Sequence, residues 1–424
     1  MRKNIVKRSL PLIVAMILLA GCSFDNKPSI YEQDAKYLVE TMENTHPCFV
    51  LDDIPEGYKE AKAAYLKAAK VVKNQEEFYE ICLKYCCSLK DGHIFLDESE
   101  VLGDYVLKVE WYSDGKALYL CDENGKPTER KVQKIGGVDV QDVFRTIEEY
   151  CTMENESAVN LMYRSRSRLV YYLERAGVKC DFDSKLILSL DDGSDRKVEW
   201  VKRKDSNEGA EETENLSWKM IGDVFYIDQD QCDVEDPNLE EVCEALNEAV
   251  AKGTVKVIYD VRGNPGGNSA ACGQILQAMQ MTPPSFGMVV RVSELAKQTY
   301  PEYYEDYSVS QVEEFDGNAS DAVANPDVDL IVLSDEWTYS SANMLCVWVQ
   351  DGKLGRVVGQ GSSNSPSAYG DILPFKLPNT ELSGYVSCRR WTRPDAEADQ
   401  KQLRPDVEVP YGEDSLQVAL ELLR

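Results

Sequence analysis

The chain has 424 residues, more than one hydrophobic core normally organises, so two or three domains are expected. Its 74 Asp plus Glu outweigh 46 Lys plus Arg for a net charge of -28, a balance that argues against a nucleic-acid partner. Its 13 cysteines are too sparse for a disulfide-stapled scaffold, and with only His46 and His93 and no zinc-type spacing, neither a metal nor another cofactor is expected.

Arg2, Lys3, Lys7 and Arg8 precede an uncharged run from Ser9 to Ala20 that is too short for a permanent membrane span, so residues 1–21 have the order of a signal peptide. The run ends in Leu19-Ala20-Gly21-Cys22, the pattern of a bacterial lipobox. Cys22 is therefore the expected lipidated first residue of an extracytoplasmic protein anchored to a bacterial membrane. Cleavage there removes four basic residues and no acidic one, so the charge falls from -28 to -32, which weakly favours cationic peptides over anionic substrates. No later apolar run is long enough to cross a bilayer.

Between Ser29 and Leu89 the apolar residues fall at helical spacing, first Leu38 and Met42, then Phe78, Ile81, Cys82, Tyr85 and Leu89, which predicts a helical N-terminal region over 22–97. Residues 98–205 show short alternating strands, such as Tyr105 to Trp111 and Ala117 to Cys121, with turns at Asp114-Gly115 and Asn124-Gly125. Within them Lys131 to Ile147 runs strand, Gly136-Gly137, amphipathic helix, and Val159 to Ala176 is a second helical run. Lys202 to Glu214 has the charged, apolar-poor composition of a linker. From 206 to 424 strands alternate with helices. Asp223 to Ile227, Val255 to Val261 and Val328 to Leu333 are expected strands; Asn238 to Val250 is an expected helix with Leu239, Val242, Leu246 and Val250 on one face. Ala342, Leu345, Cys346 and Val349 give the helix after Val328 to Leu333 one apolar face, and the alternation as a whole predicts an α/β core. Cys82, Cys243 and Cys346 are spaced as buried small hydrophobes.

Two segments of that core could do chemistry. In Asp335-Glu336-Trp337-Thr338-Tyr339-Ser340-Ser341 a serine stands at a strand-to-helix junction, where the hydroxyl is exposed and the free N–H groups of the helix start can face an oxyanion. The same position also suits a simple helix cap. Asp260-Val261-Arg262-Gly263-Asn264-Pro265-Gly266-Gly267 follows a buried strand, and its paired glycines let backbone N–H groups approach a substrate oxygen. It lacks the Gly-Lys-Ser/Thr ending of a phosphate loop.

The D-V-R-G-N-P-G-G string, T-Y-S-S-A-N followed by R-V-V-G-Q-G, the earlier K-D-G-H-I-F-L and N-T-H-P-C-F together resemble the C-terminal processing, or tail-specific, serine peptidase family over most of the mature chain. The resemblance implies an α/β fold: a ClpP/crotonase-type core over 206–424, a PDZ-like β-rich module over 98–205 and the helical N-terminal region. It implies hydrolysis of a peptide or protein substrate with Ser340 as nucleophile. Asn343 stands where the family usually has Glu, which leaves Ser341 as an alternative. Ser365 stands where the Ser-Lys branch carries its lysine, so His93 is the expected base, as in the tricorn-like branch. An imidazole near its ordinary pKa accepts a proton at neutral pH without prior desolvation. The segment around Asp399 resembles the family's E-x-x-G-V-x-P-D, so Asp399, or Glu397 beside it, is the expected orienting acid, with the N–H groups of Gly266 or Gly267 and of Ser341 as oxyanion donors. His46 is expected to hold a helix end or pack in the core. The missing lysine and Asn343 leave room for a second expectation, a non-catalytic binding protein for hydrophobic or peptidic ligands on the same scaffold.

Overall fold

The structure, a computed structural model, describes residues 28–97, 102–203, 214–253 and 255–424; the expected signal peptide, Cys22 and most of the expected linker lie outside them. Six strands form the central sheet in the order Leu216–Ile221, Val224–Gln229, Val255–Asp260, Val328–Ser334, Arg356–Gly359, Val407–Glu408. The first pair is antiparallel and every later pairing is parallel. A parallel sheet is covered on both faces, which is why its central strands are almost wholly apolar. Val257 and Tyr259 pack with Leu246, Ile275 and Leu345 on one face, while Ile258, Ile331 and Leu333 meet Ala419 and Leu423 on the other. Helix Leu239–Ala251 buries Leu239, Val242, Leu246 and Val250, the face its periodicity predicts.

Three helices, Ile30–Thr45, Tyr58–Ala68 and Gln75–Cys87, form the N-terminal region. The first opens on a capping box between Ser29 and Glu32. The middle of the chain holds a sheet ordered Trp111–Ser113, Leu118–Cys121, Pro127–Ile135, Leu186–Leu190, Asp195–Val198, with helix Val140–Tyr150 after the glycine turn. The expected Tyr105 to Trp111 strand is two: Tyr105–Leu107 leaves this sheet to pair with Trp200–Lys202. The expected run from Val159 to Ala176 also divides, into Glu156–Arg166 and Val170–Arg175, because Leu169 is drawn into an extended bridge with Val106 that helical backbone cannot make.

A five-stranded antiparallel sheet, absent from the sequence reading, completes the fold. Phe95–Leu96, Ser383–Thr392, Gly287–Arg291 and Val312–Phe315 lie in that order, and Tyr369–Lys376 also pairs with Ser383–Thr392. The pairing of Phe95 with Tyr385 brings the chain just after His93 onto the C-terminal third of the molecule. One buried cluster runs through Leu38 and Phe78 of the N-terminal helices, Phe144 and Leu188 of the middle region, and Leu373 and Val386 of this sheet. Among the described residues no helix is long and apolar enough to cross a membrane.

Candidate active site

Val255–Asp260 and Val328–Ser334 run in parallel register, with Asp260 opposite Leu333, so the loops that follow them leave the same edge of the sheet. Four bonds strap those loops together. Thr338 Oγ1 donates to the Val261 carbonyl (2.9 Å), the Gly263 N–H to Asp335 Oδ1 (2.9 Å), the Tyr339 N–H to the Asn264 carbonyl (2.9 Å), and Ser341 Oγ to the Gly267 carbonyl (2.7 Å). Ser340 opens helix Ser340–Asp351 with φ 49°, a left-handed backbone that costs a serine about 1–3 kcal/mol. Its N–H donates to Asn364 Oδ1 at 3.0 Å. A Cβ on Gly266 would lie 2.6 Å from the Ser340 Cβ, so the turn approaches Ser340 only because that residue is glycine, and one on Gly267 would lie 2.2 Å from the Cys232 carbonyl oxygen, so the turn's close packing on Cys232 needs a second glycine.

The amides of the turn are not equivalent. The Gly266 N–H donates to the Asn264 side chain (2.8 Å) and is therefore spent on the turn itself, a correction to its expected place among the oxyanion donors. Among the described residues, the Gly267 and Ser341 N–H groups find no acceptor. Asn264, fully buried, also donates to the Gln229 carbonyl (2.8 Å).

His93 lies between helix Gln75–Cys87 and strand Phe95–Leu96, 7 % exposed, and lines with Ser340 and Gly267 one cavity of about 520 Å³. Its Nε2 faces the cavity wall at Gly370, whose added Cβ would sit 3.8 Å away, while Nδ1 lies 3.7 Å from Asp91 Oδ1. Neither ring nitrogen has a hydrogen-bond partner. Asp91 is fully buried; Oδ1 accepts the His93 N–H (2.9 Å), and Oδ2 accepts Ser387 Oγ (2.6 Å) and His46 Nε2 (3.2 Å). His46 Nδ1 accepts the Cys48 N–H (3.2 Å), so its proton must be on Nε2, pointing at Asp91. Both histidines of the chain thus flank one carboxylate. Burial pulls the Asp91 pKa up, but the bonds from His46 and His93 and the charge of His93 prevail and hold it far below the usual carboxylate range. Burial likewise pushes His93 down, and the Asp91 carboxylate with Glu154 behind it more than offsets this, raising His93 above its ordinary value.

The other expected site residues divide. Ser341 is engaged through its hydroxyl with Gly267 and is less free to react than Ser340. Asn343 Nδ2 holds the Asn364 carbonyl (3.1 Å), pinning the loop that contains Ser365. The structure does not bring Asp399 to His93: its Oδ1 accepts the N–H groups of Lys401 (2.9 Å) and Gln402 (3.1 Å), closing its own turn. Glu397 is exposed and, like Asp399, does not line the cavity. His46 both ends helix Ile30–Thr45, as expected, and supports Asp91. Asp91, Glu154, Asn264 and Asn364 were missed. Asp91 alone carried a signal, being two residues before His93 in K-D-G-H. Ligand atoms of Asp91, His93 and Glu154 lie within 4.8 Å of one another, but all four carboxylate oxygens already accept from protein donors, which leaves a cation little to bind. Cys82 and Cys346 are buried and Cys243 is half-buried; the twelve cysteines of the described residues are free thiols.

One hydroxyl, two unused amides and an imidazole around one cavity at the edge of an α/β sheet are the parts that the class of serine-type hydrolases needs. Residues 223–409 match the model of peptidase family S41, so that part of the chain is a peptidase region of this kind and the protein is a serine-type peptidase. Its fold is similar to that of mature CPAF complexed with lactacystin (TM-score 0.60, 13 % identity, 93 % of this chain and 97 % of that one). It is also similar to mature CPAF in a second structure (TM-score 0.57, 13 % identity, 90 % and 93 %). No curated protein matches the chain.

Proposed function

We propose that the protein hydrolyses peptide bonds through a Ser340–His93–Asp91 triad and acts as a lipid-anchored peptidase outside the cytoplasm. Ser340 Oγ attacks the scissile carbonyl while His93 Nε2 takes its proton and later returns it to the leaving amine. Asp91, in the role first expected of Asp399, stabilises the imidazolium; at 3.7 Å it does so by charge, and a small closure on substrate binding would make it a hydrogen bond. The Gly267 and Ser341 amides stabilise the oxyanion, an effect worth about 3–4 kcal/mol per donor in related chemistry. With histidine rather than lysine as base, the site is of the tricorn-like kind. The observation that carries the reading is that Ser340 and His93 line the same cavity. The unused Gly267 and Ser341 amides and the imidazole beside the Ser340 hydroxyl's cavity favour hydrolysis over the non-catalytic binding alternative.

Ser340→Ala and His93→Ala are each expected to abolish labelling by a fluorophosphonate probe and to lower turnover of fluorescently labelled casein by roughly 10³-fold or more, with the fold retained by circular dichroism. Labelling that survives Ser340→Ala removes the nucleophile. For the anchor, Cys22→Ser is expected to move the protein from the detergent phase to the aqueous phase in Triton X-114 partitioning.

A further inference from the structure

Glu154 belongs by sequence to the middle region, in the short connection between helices Val140–Tyr150 and Glu156–Arg166, yet its carboxylate reaches the peptidase site. Oε1 accepts the N–H of Gly92, the residue before His93, at 2.8 Å. Oε2 accepts Asn364 Nδ2 and the Ser365 N–H, both at 3.0 Å. A Cβ on Gly92 would lie 2.3 Å from the Tyr339 hydroxyl and 3.0 Å from Oε1, so the close packing here depends on that glycine. Three segments far apart in the chain therefore meet on one carboxylate.

The chemistry of those bonds has a direction. An ionised carboxylate can only accept, so Asn364 must turn its NH₂ toward Glu154 and its Oδ1 away from it. That Oδ1 is the acceptor of the Ser340 N–H (3.0 Å). Were Asn364 flipped, its NH₂ would face the Ser340 N–H, donor against donor, at a residue whose backbone is already left-handed.

We propose that Glu154 is a positioning residue of the peptidase: it orients the Asn364 amide, which holds the Ser340 backbone, and it fixes the His93 loop by its other oxygen. The middle region thereby supplies part of the catalytic centre. The proposal rests on Ser340 and His93 acting as nucleophile and base.

Charge gives it a distinguishing signature. The groups facing His93 are Asp91 from its own loop, with His46 behind it, Glu154, and the Tyr339 ring 4.9 Å away; across the cavity Arg389 is paired with Asp371 at 2.7 Å. Removing the Glu154 charge lowers the pKa of His93, so the base becomes neutral at lower pH.

The test uses the full chain and a fluorophosphonate probe, with inactivation rate and probe affinity measured across pH for wild type, Glu154→Gln, Asn364→Ala and the double variant. Each single variant is expected to lose roughly 10- to 100-fold in inactivation rate with unchanged probe affinity. The double variant should be no slower than the slower single one, because both act through one chain of bonds. The acid limb should move to lower pH in Glu154→Gln and stay in place in Asn364→Ala. A Glu154→Gln protein that reacts at the wild-type rate, keeps the wild-type acid limb, or multiplies its loss with that of Asn364→Ala overturns the proposal. If Glu154→Gln does not fold by circular dichroism, Glu154→Asp and Asn364→Ala decide: partial recovery in the first with loss in the second supports it, and a wild-type rate in Asn364→Ala overturns it. Labelling retained by Ser340→Ala would instead refute the underlying nucleophile reading, so the two failures are distinct.

Discussion

At the scale of single residues the site is governed by two conflicts. Ser340 trades backbone comfort for exposure of its hydroxyl, and the hydrogen bond to Asn364 helps hold it there. His93 is buried, which disfavours its charge, beside Asp91, which favours it, and the carboxylate wins. A base must be neutral to accept a proton, so the rate of probe labelling is expected to rise with pH through an inflection above the ordinary imidazole value of 6.5. Stability runs the other way. A raised histidine pKa contributes stability that is fully present below the unfolded value and is lost as pH rises through the folded value, so this pair stabilises the fold most where the enzyme is least active. Asp91→Asn should move the inflection down and, because it leaves His46 and Ser387 without their buried anion, destabilise the protein by about 3–5 kcal/mol in urea titration.

At the scale of elements, what matters is that two neighbouring parallel strands end in different kinds of loop. One gives a glycine turn with little side chain, the other a serine at a helix start, and the straps between them set their separation. Asn264 is the internal brace of the glycine turn, bonding the Gly266 N–H and the Gln229 carbonyl from a fully buried position. Asn264→Ala is expected to cost about 1–3 kcal/mol for the groups left unpaired, and to lower the labelling rate as well, since Gly267 follows directly. A variant with wild-type melting and wild-type labelling would show that the turn is held by its strands alone.

At the scale of the whole molecule, His93, the proposed base, reaches the cavity of Ser340 through the antiparallel sheet, in which a two-residue strand after His93 pairs with a strand near the C-terminus. The same closure is reinforced by Asp34 in the first helix, whose buried carboxylate accepts from the N–H and side chain of Asn379 and of Thr380. Asp34→Ala is expected to destabilise the protein on the order of 3 kcal/mol, read from the urea midpoint. The N-terminal helices, the middle sheet and the antiparallel sheet share one buried cluster, so that loss should appear as a single cooperative transition rather than as early release of the helices.

Much of this was legible in the residues alone. The apolar runs Val255 to Val261 and Val328 to Leu333, and the one-sided helices between and after them, specify a buried parallel sheet, because such strands must be apolar on both faces. The glycine pair and the serine at a helix start mark two loops at its edge by local chemistry that needs no partner. Strand pairing between residues nearly 300 apart, as of Phe95 with Tyr385, leaves no local pattern, and that pairing carries His93 to the cavity. Which acid lies beside the imidazole, and which amides remain free, were likewise decided in three dimensions. A carboxylate has the same composition whether it closes its own turn, as Asp399 does, or is buried against two imidazoles, as Asp91 is.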